Sequence, residues 1–380
     1  MTFRLTAPCH FGLEKTLSFE VRRIGGEDIA VSDGRVTFTG DERVLIRANM
    51  CLSTAERVGI LLSEFKARTF EELFQGVKAI PIEKYVGKFD RFPIKGFSLN
   101  SKLTSVPACQ KIIKKAMVER MKSVYKIGYF QETEALFQFR FSIMKDNVTM
   151  TLDTSGEGLH KRGYRVKNVE APIKETLAAA MVQLSFWKPE RLLLDPFCGS
   201  GTIAIEAAMY MRNIAPGLGR EFASQKWDCI PQEIWKEEKK SAYEAIDYDK
   251  DIRIEASDVS KKAVAAAREN AEEAGVDDCI SFSVRPFERV EPAEKYSVII
   301  CNPPYGERIG KKDAMKASYA HLKELLEKDS TLSAYVITAD KQIEAALMPR
   351  KPDRRRKLYN GRIETCYYQY YGQKPKKEIE

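Results

Sequence analysis

The rhythm of apolar and polar positions changes near residue 160. Before it, short alternating runs mix with helical ones. Phe3 to Thr6 reads as a strand, and Pro8 to Glu14 leads into a short helix. Arg35 to Gly40 alternates, and the apolar run Arg43 to Met50 reads as another strand. Thr69 is placed as an N-cap and Glu72 closes a capping box, so a helix opens at Phe70. Phe92 to Leu99 reads as a strand with proline near its start. Cys109, Ile112, Ile113, Ala116, Met117, Arg120 and Met121 recur at helical spacing and predict a helix over Pro107 to Val124. Its other face carries Lys111, Lys114, Lys115 and Lys122. Leu136 to Ile143 alternates as a half-buried strand and pairs with Asn147 to Asp153 as a hairpin. This first portion is α+β.

After residue 165 strands and helices take turns. Arg191–Asp195, Ile252–Asp258, Ile280–Val284, Tyr296–Cys301 and Ser333–Thr338 read as strands. Thr202–Arg212, Ser260–Ala274 and Lys312–Lys328 read as helices between them. Such alternation builds a mostly parallel, doubly wound α/β sheet. The end departs from it: Lys357 to Tyr368 is predicted to be an antiparallel hairpin with a type I′ turn at Asn360-Gly361.

Composition narrows the class. Hydrophobic residues make up 44%, enough for packed cores. No apolar run reaches spanning length, and the start, Met1 to Leu5, lacks a basic segment followed by an apolar one. A cytoplasmic protein is expected. The 62 Lys+Arg against 54 Asp+Glu give a net charge of +8, compatible with a polyanionic partner. The eight cysteines form no Cys-x-x-Cys pair and read as reduced thiols. The histidines, His10, His160 and His321, are far apart in sequence, so no metal site is expected.

Leu192 to Thr202 reads Leu-Leu-Leu-Asp-Pro-Phe-Cys-Gly-Ser-Gly-Thr: a strand, a glycine turn and a helix start. Gly199 and Gly201 allow close backbone approach to a ligand that the helix amino terminus faces. A third glycine for a dinucleotide fingerprint is missing, and no Gly-Lys-Ser/Thr follows. Asp195 suits a cationic or amino head. Asp258, ending the next strand, can hold ribose hydroxyls. Together they predict an adenosine ligand without pyrophosphate, of which S-adenosylmethionine is the common one.

Cys301-Asn302-Pro303-Pro304-Tyr305 follows the fourth strand of this portion. The Asn302 side-chain oxygen and the Pro303 carbonyl can accept hydrogen bonds from a substrate amino group and aim its lone pair at a methyl donor. The second proline, Pro304, helps stiffen the loop. Tyr305 offers a stacking face for a base. Asn302 is also a candidate cofactor contact.

Residues from about 160 to 372 resemble class I amino-methyltransferases. Leu159 to Arg165, Ala171 to Ala178, and Ile214 to Arg220 with Trp227 and Trp235 resemble the RlmL-like 23S rRNA guanine-N2 methyltransferases. The first portion resembles their ferredoxin-like segment plus THUMP domain, an RNA-binding module. The resemblance implies three units: 1–65 ferredoxin-like, 66–160 THUMP and 161–380 a Rossmann-like methyltransferase domain. It places Pro172 and Thr176 near the methionine end of the cofactor. Asp195, Pro196, Phe197, Cys198, Gly199, Ser200 and Gly201 line it, and Asp258 with Val259 takes the ribose side. The family usually has an Asp after the third strand for the adenine amino group. Here Pro286 stands there, and backbone groups with Phe287 take that part.

Basic residues supply the RNA side of this reading. Lys111, Lys114 and Lys115 on the predicted helix, Arg162 and Arg165 between the portions, Arg308 beside the Asn-Pro-Pro-Tyr loop, and Arg354, Arg355 and Arg356 before the terminal hairpin are its candidates. A solvated face or loop explains the lysine helix and the arginine run equally well. The expected partner is RNA, 23S rRNA or a ribosomal precursor, with no membrane. An N6-adenine DNA methyltransferase and a non-catalytic RNA-binding factor are the rival readings.

Overall fold

The computed structural model describes residues 1–167, 172–304, 311–361 and 363–374, with backbone alone at 311–314. The first half runs β1 (Phe3–Pro8), α1 (Glu14–Arg23), β2 (Glu27–Ser32), β3 (Arg35–Gly40), α2 (Glu42–Cys51) and β4 (Gly59–Lys66). It continues through α3 (Phe70–Lys78), β5 (Ile94–Leu99), α4 (Val106–Tyr125), β6 (Phe139–Met144) and β7 (Asn147–Asp153). All its strands join one seven-stranded sheet in the order β2-β3-β1-β4-β7-β6-β5. Strand β4 is the joint. It pairs with β1 at Leu5↔Ile60 and with β7 along Gly59↔Asp153 to Lys66↔Asn147. The ferredoxin-like and THUMP-like segments are therefore sewn together by backbone hydrogen bonds.

One expectation fails here. Arg43 to Met50 is not a strand but most of α2. Asp41 caps it, accepting a hydrogen bond from the Val44 amide at 2.9 Å. Arg43 and Arg47, one turn apart, both reach Glu238 across the domain junction. An eight-residue apolar run does not separate helix from strand by periodicity; the cap and the i, i+4 arginine pair decide it. The Thr69–Glu72 capping box forms as expected.

The second half comprises α5 (Glu175–Leu184), β8 (Leu193–Asp195), α6 (Thr202–Met211), α7 (Gln232–Glu244), β9 (Ile254–Asp258), α8 (Lys261–Glu273) and β10 (Ile280–Val284). Then come β11 (Val298–Cys301), α9 (Lys311–Lys328), β12 (Ser333–Thr338), α10 (Gln342–Ala346), β13 (Arg354–Asn360) and β14 (Ile363–Tyr370). The sheet order is β10-β9-β8-β11-β12-β14-β13. Strands β8 to β12 run parallel, and β14 and β13 are antiparallel. This is the Rossmann-like sheet with a terminal hairpin. The hairpin turn sits one residue later than expected. Asn360 pairs with Ile363, so Gly361 (φ 63°) takes the first loop position and Arg362 lies outside the described residues.

Helix α5 is buried almost all round, with Gln183 the exception among its residues. An apolar helix of this kind is a wedge between layers. On one side Gln183 bonds Glu20 and Ser53 of the first half. On the other, the buried Tyr367 hydroxyl of β14 donates to the Met181 carbonyl at 2.8 Å. The stretch from Ile214 to Trp227 fastens the halves again. The Gly217 amide donates to the Met50 carbonyl at 2.8 Å. A Cβ at Gly217 would come within 2.9 Å of the Met50 backbone, so only glycine fits. Arg220 donates to the carbonyls of Glu157, Gly158 and Lys161. Trp227 stacks on Phe137 at 4.8 Å. Among the described residues no helix is long and apolar enough to cross a membrane.

Candidate active site

The sheet order reverses between β8 and β11, and at such a switch point the carboxyl ends of neighbouring strands open a crevice. β8 ends on Asp195 and β11 on Cys301, so the two sequence motifs meet there. Asp195 is fully buried, and among the described residues neither carboxylate oxygen makes a well-formed hydrogen bond. Burial, with the Asp258 charge adding and the Phe197 amide offsetting only part, raises its pKa from the ordinary 3.8 to about 8. A buried carboxylate so poorly answered is costly; among the described residues no cation is paired with it. Asn302, at the end of the adjacent strand, is in the same condition: its Oδ1 is buried and has no partner among the described residues. Pro303 is buried and Pro304 exposed. Tyr305 and Arg308 lie outside the described residues.

The glycine loop is held from three sides. Gly201 adopts φ 84°, and a Cβ there would meet Ala267 of α8 at 3.1 Å. Asp258 accepts from the Gly199 amide at 3.1 Å and from the Ser260 amide at 2.9 Å, tying the turns after β8 and β9 together. Asn270, fully buried on α8, accepts from the Val166 and Lys167 amides and donates to the Ser200 carbonyl. Arg165 bonds Glu175, Ser200 Oγ and Thr202 Oγ1. Asn270 and Glu175 are positions the sequence reading missed. The available signal for Asn270 was a lone amide on the apolar face of an alanine-rich helix.

Several expected residues take other places. Thr176 is fully buried and its hydroxyl donates to Glu56 at 2.7 Å. Phe287 is 4% exposed, behind Phe197 (5.2 Å) and His321 (5.1 Å), so it backs the loop rather than facing a ligand. Val259 and Val284 present exposed apolar side chains at this end, 70% and 53% exposed, just past β9 and at the end of β10. Phe197 is half-buried, Pro172 exposed and Pro196 buried. Burial raises the pKa of Cys198 and of Cys301, so both stay protonated thiols.

The basic candidates divide. Arg162 is not on a surface. It is 4% exposed, pairs with Glu206 at 3.3 Å and donates to the Leu159 and Ser53 carbonyls. Arg165 is spent on the glycine loop. Lys114 turns inward to Glu132 at 2.7 Å, with its ammonium 3.4 Å from the Phe92 ring centroid. A polyanion cannot recruit charges already paired in this way without breaking them out. Lys111 and Lys115 are exposed on α4. On β13, Arg354 is exposed, Arg355 pairs with Glu344 at 3.1 Å, and the half-buried Arg356 leaves its Nε unpaired. Among the described residues no cluster of three metal-ligating side chains occurs.

Comparison with known proteins gives three domain matches. Residues 162–369 match the RMKL-like methyltransferase domain, 4–59 the RlmL ferredoxin-like domain and 67–153 the THUMP domain. The chain is 44% identical over 371 residues to "Putative RNA methyltransferase YpsC" of Bacillus subtilis (strain 168), covering 97% of this chain and 96% of that one. It is 38% identical over 311 residues to the ribosomal RNA large subunit methyltransferase K/L of Psychromonas ingrahamii (strain DSM 17664 / CCUG 51855 / 37). That match covers 80% of this chain but 41% of the longer relative. The crystal structure of SMU.472 complexed with SAH superposes with a TM-score of 0.92 at 38% identity, over 99% of both chains.

Proposed function

The chain belongs to the RMKL-like methyltransferase family, and from that premise we propose that it methylates an exocyclic base amine of RNA, guanine N2 of 23S rRNA, using S-adenosylmethionine. The observation that carries this reading is the pair of unsatisfied acceptors, Asp195 and Asn302 Oδ1, at adjacent strand ends. They ask for two different donors, a cation and a neutral N–H. The three-unit division at 1–65, 66–160 and 161–380 belongs to the same proposal.

The residues present fit the cofactor. Asp195 would hold its ammonium and Asp258 its ribose hydroxyls. The Gly199–Gly201 backbone gives room for close approach, and Val259 and Val284 form an apolar shelf for the purine. When bound, S-adenosylmethionine supplies a methyl group already activated by the sulfonium. Asn302 Oδ1 and the Pro303 carbonyl would accept the two amine hydrogens of a base turned out of its stack. That would aim the nitrogen lone pair at the methyl donor, so positioning would carry most of the rate, and the surplus proton on nitrogen would leave to solvent after transfer. No strong base is needed before transfer. The RNA substrate is supported by the THUMP match, by the names of both relatives, and by the exposed cations Lys111, Lys115 and Arg354.

Nucleoside analysis of rRNA with and without this protein, followed by in vitro methylation of the deficient rRNA, tests the substrate. Loss and restoration of N2-methylguanosine is expected. A methyl group on tRNA or on DNA adenine instead keeps the chemistry and overturns the substrate. Asn302→Ala is expected to keep cofactor affinity and lower turnover about a thousandfold, the upper range for one aimed polar group. Normal turnover would sink its role.

A further inference from the structure

Helix α5 begins without a cap of its own. Its N-cap position is Lys174, whose side chain makes no capping hydrogen bond, and a cation there opposes the helix dipole. The first turn carries Glu175, and a second negative charge comes from the other half of the molecule. Glu56, in the loop between α2 and β4, is about a quarter exposed and accepts from Thr176 Oγ1 at 2.7 Å and Lys174 Nζ at 3.0 Å. His10 Nε2 stands 3.1 Å from it and His160 Nδ1 3.9 Å. Its backbone is fixed as well. The Glu56 amide donates to the Pro8 carbonyl at 2.8 Å, and its carbonyl accepts from the Leu159 amide at 2.9 Å.

What α5 carries at that end is the support of the glycine loop. Glu175, between the two residues Glu56 grips, accepts from Arg165 Nε at 2.7 Å. Arg165 in turn donates to Ser200 Oγ at 2.9 Å, to Thr202 Oγ1 at 3.0 Å and to the Ile173 carbonyl at 3.2 Å. Two sets of charge-assisted bonds, joined through the backbone of Lys174 to Thr176, thus lead from the first half to the loop after β8. Such bonds are the stronger ones and hold geometry as well as energy.

We propose that Glu56 is a positioning residue for the cofactor site, through which the amino-terminal half sets the conformation of the glycine loop. Burial by itself would raise the Glu56 pKa, but its contacts with His10 and Thr176 and the adjacent Lys174 ammonium outweigh that and hold the carboxylate ionised, well below the usual range. The assignment rests on the S-adenosylmethionine reading of that loop. The binding isotherm of the unaltered chain separates failure of that reading from failure of this one.

The test uses the full chain, S-adenosylhomocysteine as the probe, calorimetry for affinity and hydrogen exchange for the loop. Glu56→Ala removes both bonds and is expected to weaken binding about tenfold, equivalent to losing one charge-assisted hydrogen bond. Glu56→Gln keeps an acceptor for Thr176 but loses the charge, and about threefold is expected. In both, the amides of Gly199 to Thr202 should exchange faster while those of β1 and β4 do not change. Glu157→Gln, which breaks only the exposed pair with Lys161, should leave affinity and exchange as they are. Folded Glu56→Gln protein with unchanged affinity and unchanged exchange at the loop would overturn the proposal. That variant carries the test if the alanine variant does not fold.

Discussion

Each of the two sheets buries an aspartate, and the two are treated in opposite ways. Asp153, at the end of β7, is 1% exposed and saturated. It accepts from Arg57 at 2.8 Å, Arg140 at 2.7 Å and the amides of Ser155 and Gly156. Asp195, at the end of β8, is equally buried and has no well-formed hydrogen bond. The first carboxylate is structural, because its charge is answered within the fold. The second leaves its charge to be answered by something that binds. Burial alone does not mark a site; a fully buried carboxylate whose charge the described residues leave unanswered does.

The contrast can be broken from either side. Asp195→Asn removes the charge but keeps the shape. Affinity for S-adenosylhomocysteine should fall about 30-fold or more, the size of a charged hydrogen bond, while the unliganded fold gains stability at neutral pH. Calorimetry and thermal melts on one preparation check both parts. The pH dependence follows from the raised value of about 8. A raised carboxylic pKa means the unliganded fold favours the protonated form. That stability is fully present below the ordinary value and is lost as pH rises through 8. A cation needs the ionised form, so binding expels a proton, and affinity should fall by up to tenfold per unit below pH 8. Heats that do not vary with buffer ionisation at pH 7 would contradict this.

Asp153→Ala should do the reverse. It should leave cofactor affinity near that of the unaltered chain and cost about 2 kcal/mol of stability in denaturant melts. A fully buried pair costs more to break, but Arg57 and Arg140 are 26% and 32% exposed and can turn to water. The smallest effect sharpens the contrast at the surface. Lys111→Glu with Lys115→Glu should weaken RNA binding severalfold and flatten its salt dependence by roughly 0.7–0.9 for each phosphate no longer neutralised. Lys114→Ala should lower stability and leave that slope unchanged, since its ammonium faces Glu132 and Phe92. A filter-binding series over salt distinguishes them.

The second sheet and its two loops were legible in the sequence because their chemistry is contiguous. Asp195 to Gly201 and Asn302 to Pro304 each sit in one strand-end turn, so spacing alone brings them to the crevice. The first half was less legible. Its strands β2 and β4 lack a decisive alternation, and α2 reads as an apolar run until the Asp41 cap is weighed. The basic residues misled for a physical reason. Arg162, Arg165 and Lys114 carry the same charge as Lys111, and only the fold reveals that carboxylates 18 to 44 positions away, or 10 for Arg165, have claimed them. Glu56 had no local signal at all, because its partners come from β1's far end, the linker and α5.

The shared strand β4 has a consequence for how an RNA would be chosen. Its ladders to β1 and β7 leave no hinge between the two amino-terminal segments, and Arg43, Glu56, Gly217 and Arg220 pin that sheet to the catalytic half. On the proposed reading, the span from the exposed lysines of α4 to Asn302 would serve as a ruler with fixed graduations. An RNA held at one end presents, at the other, whichever nucleotide its own folded shape puts at that reach. Selection would then act on distance within the RNA as much as on the letters around the methylated base.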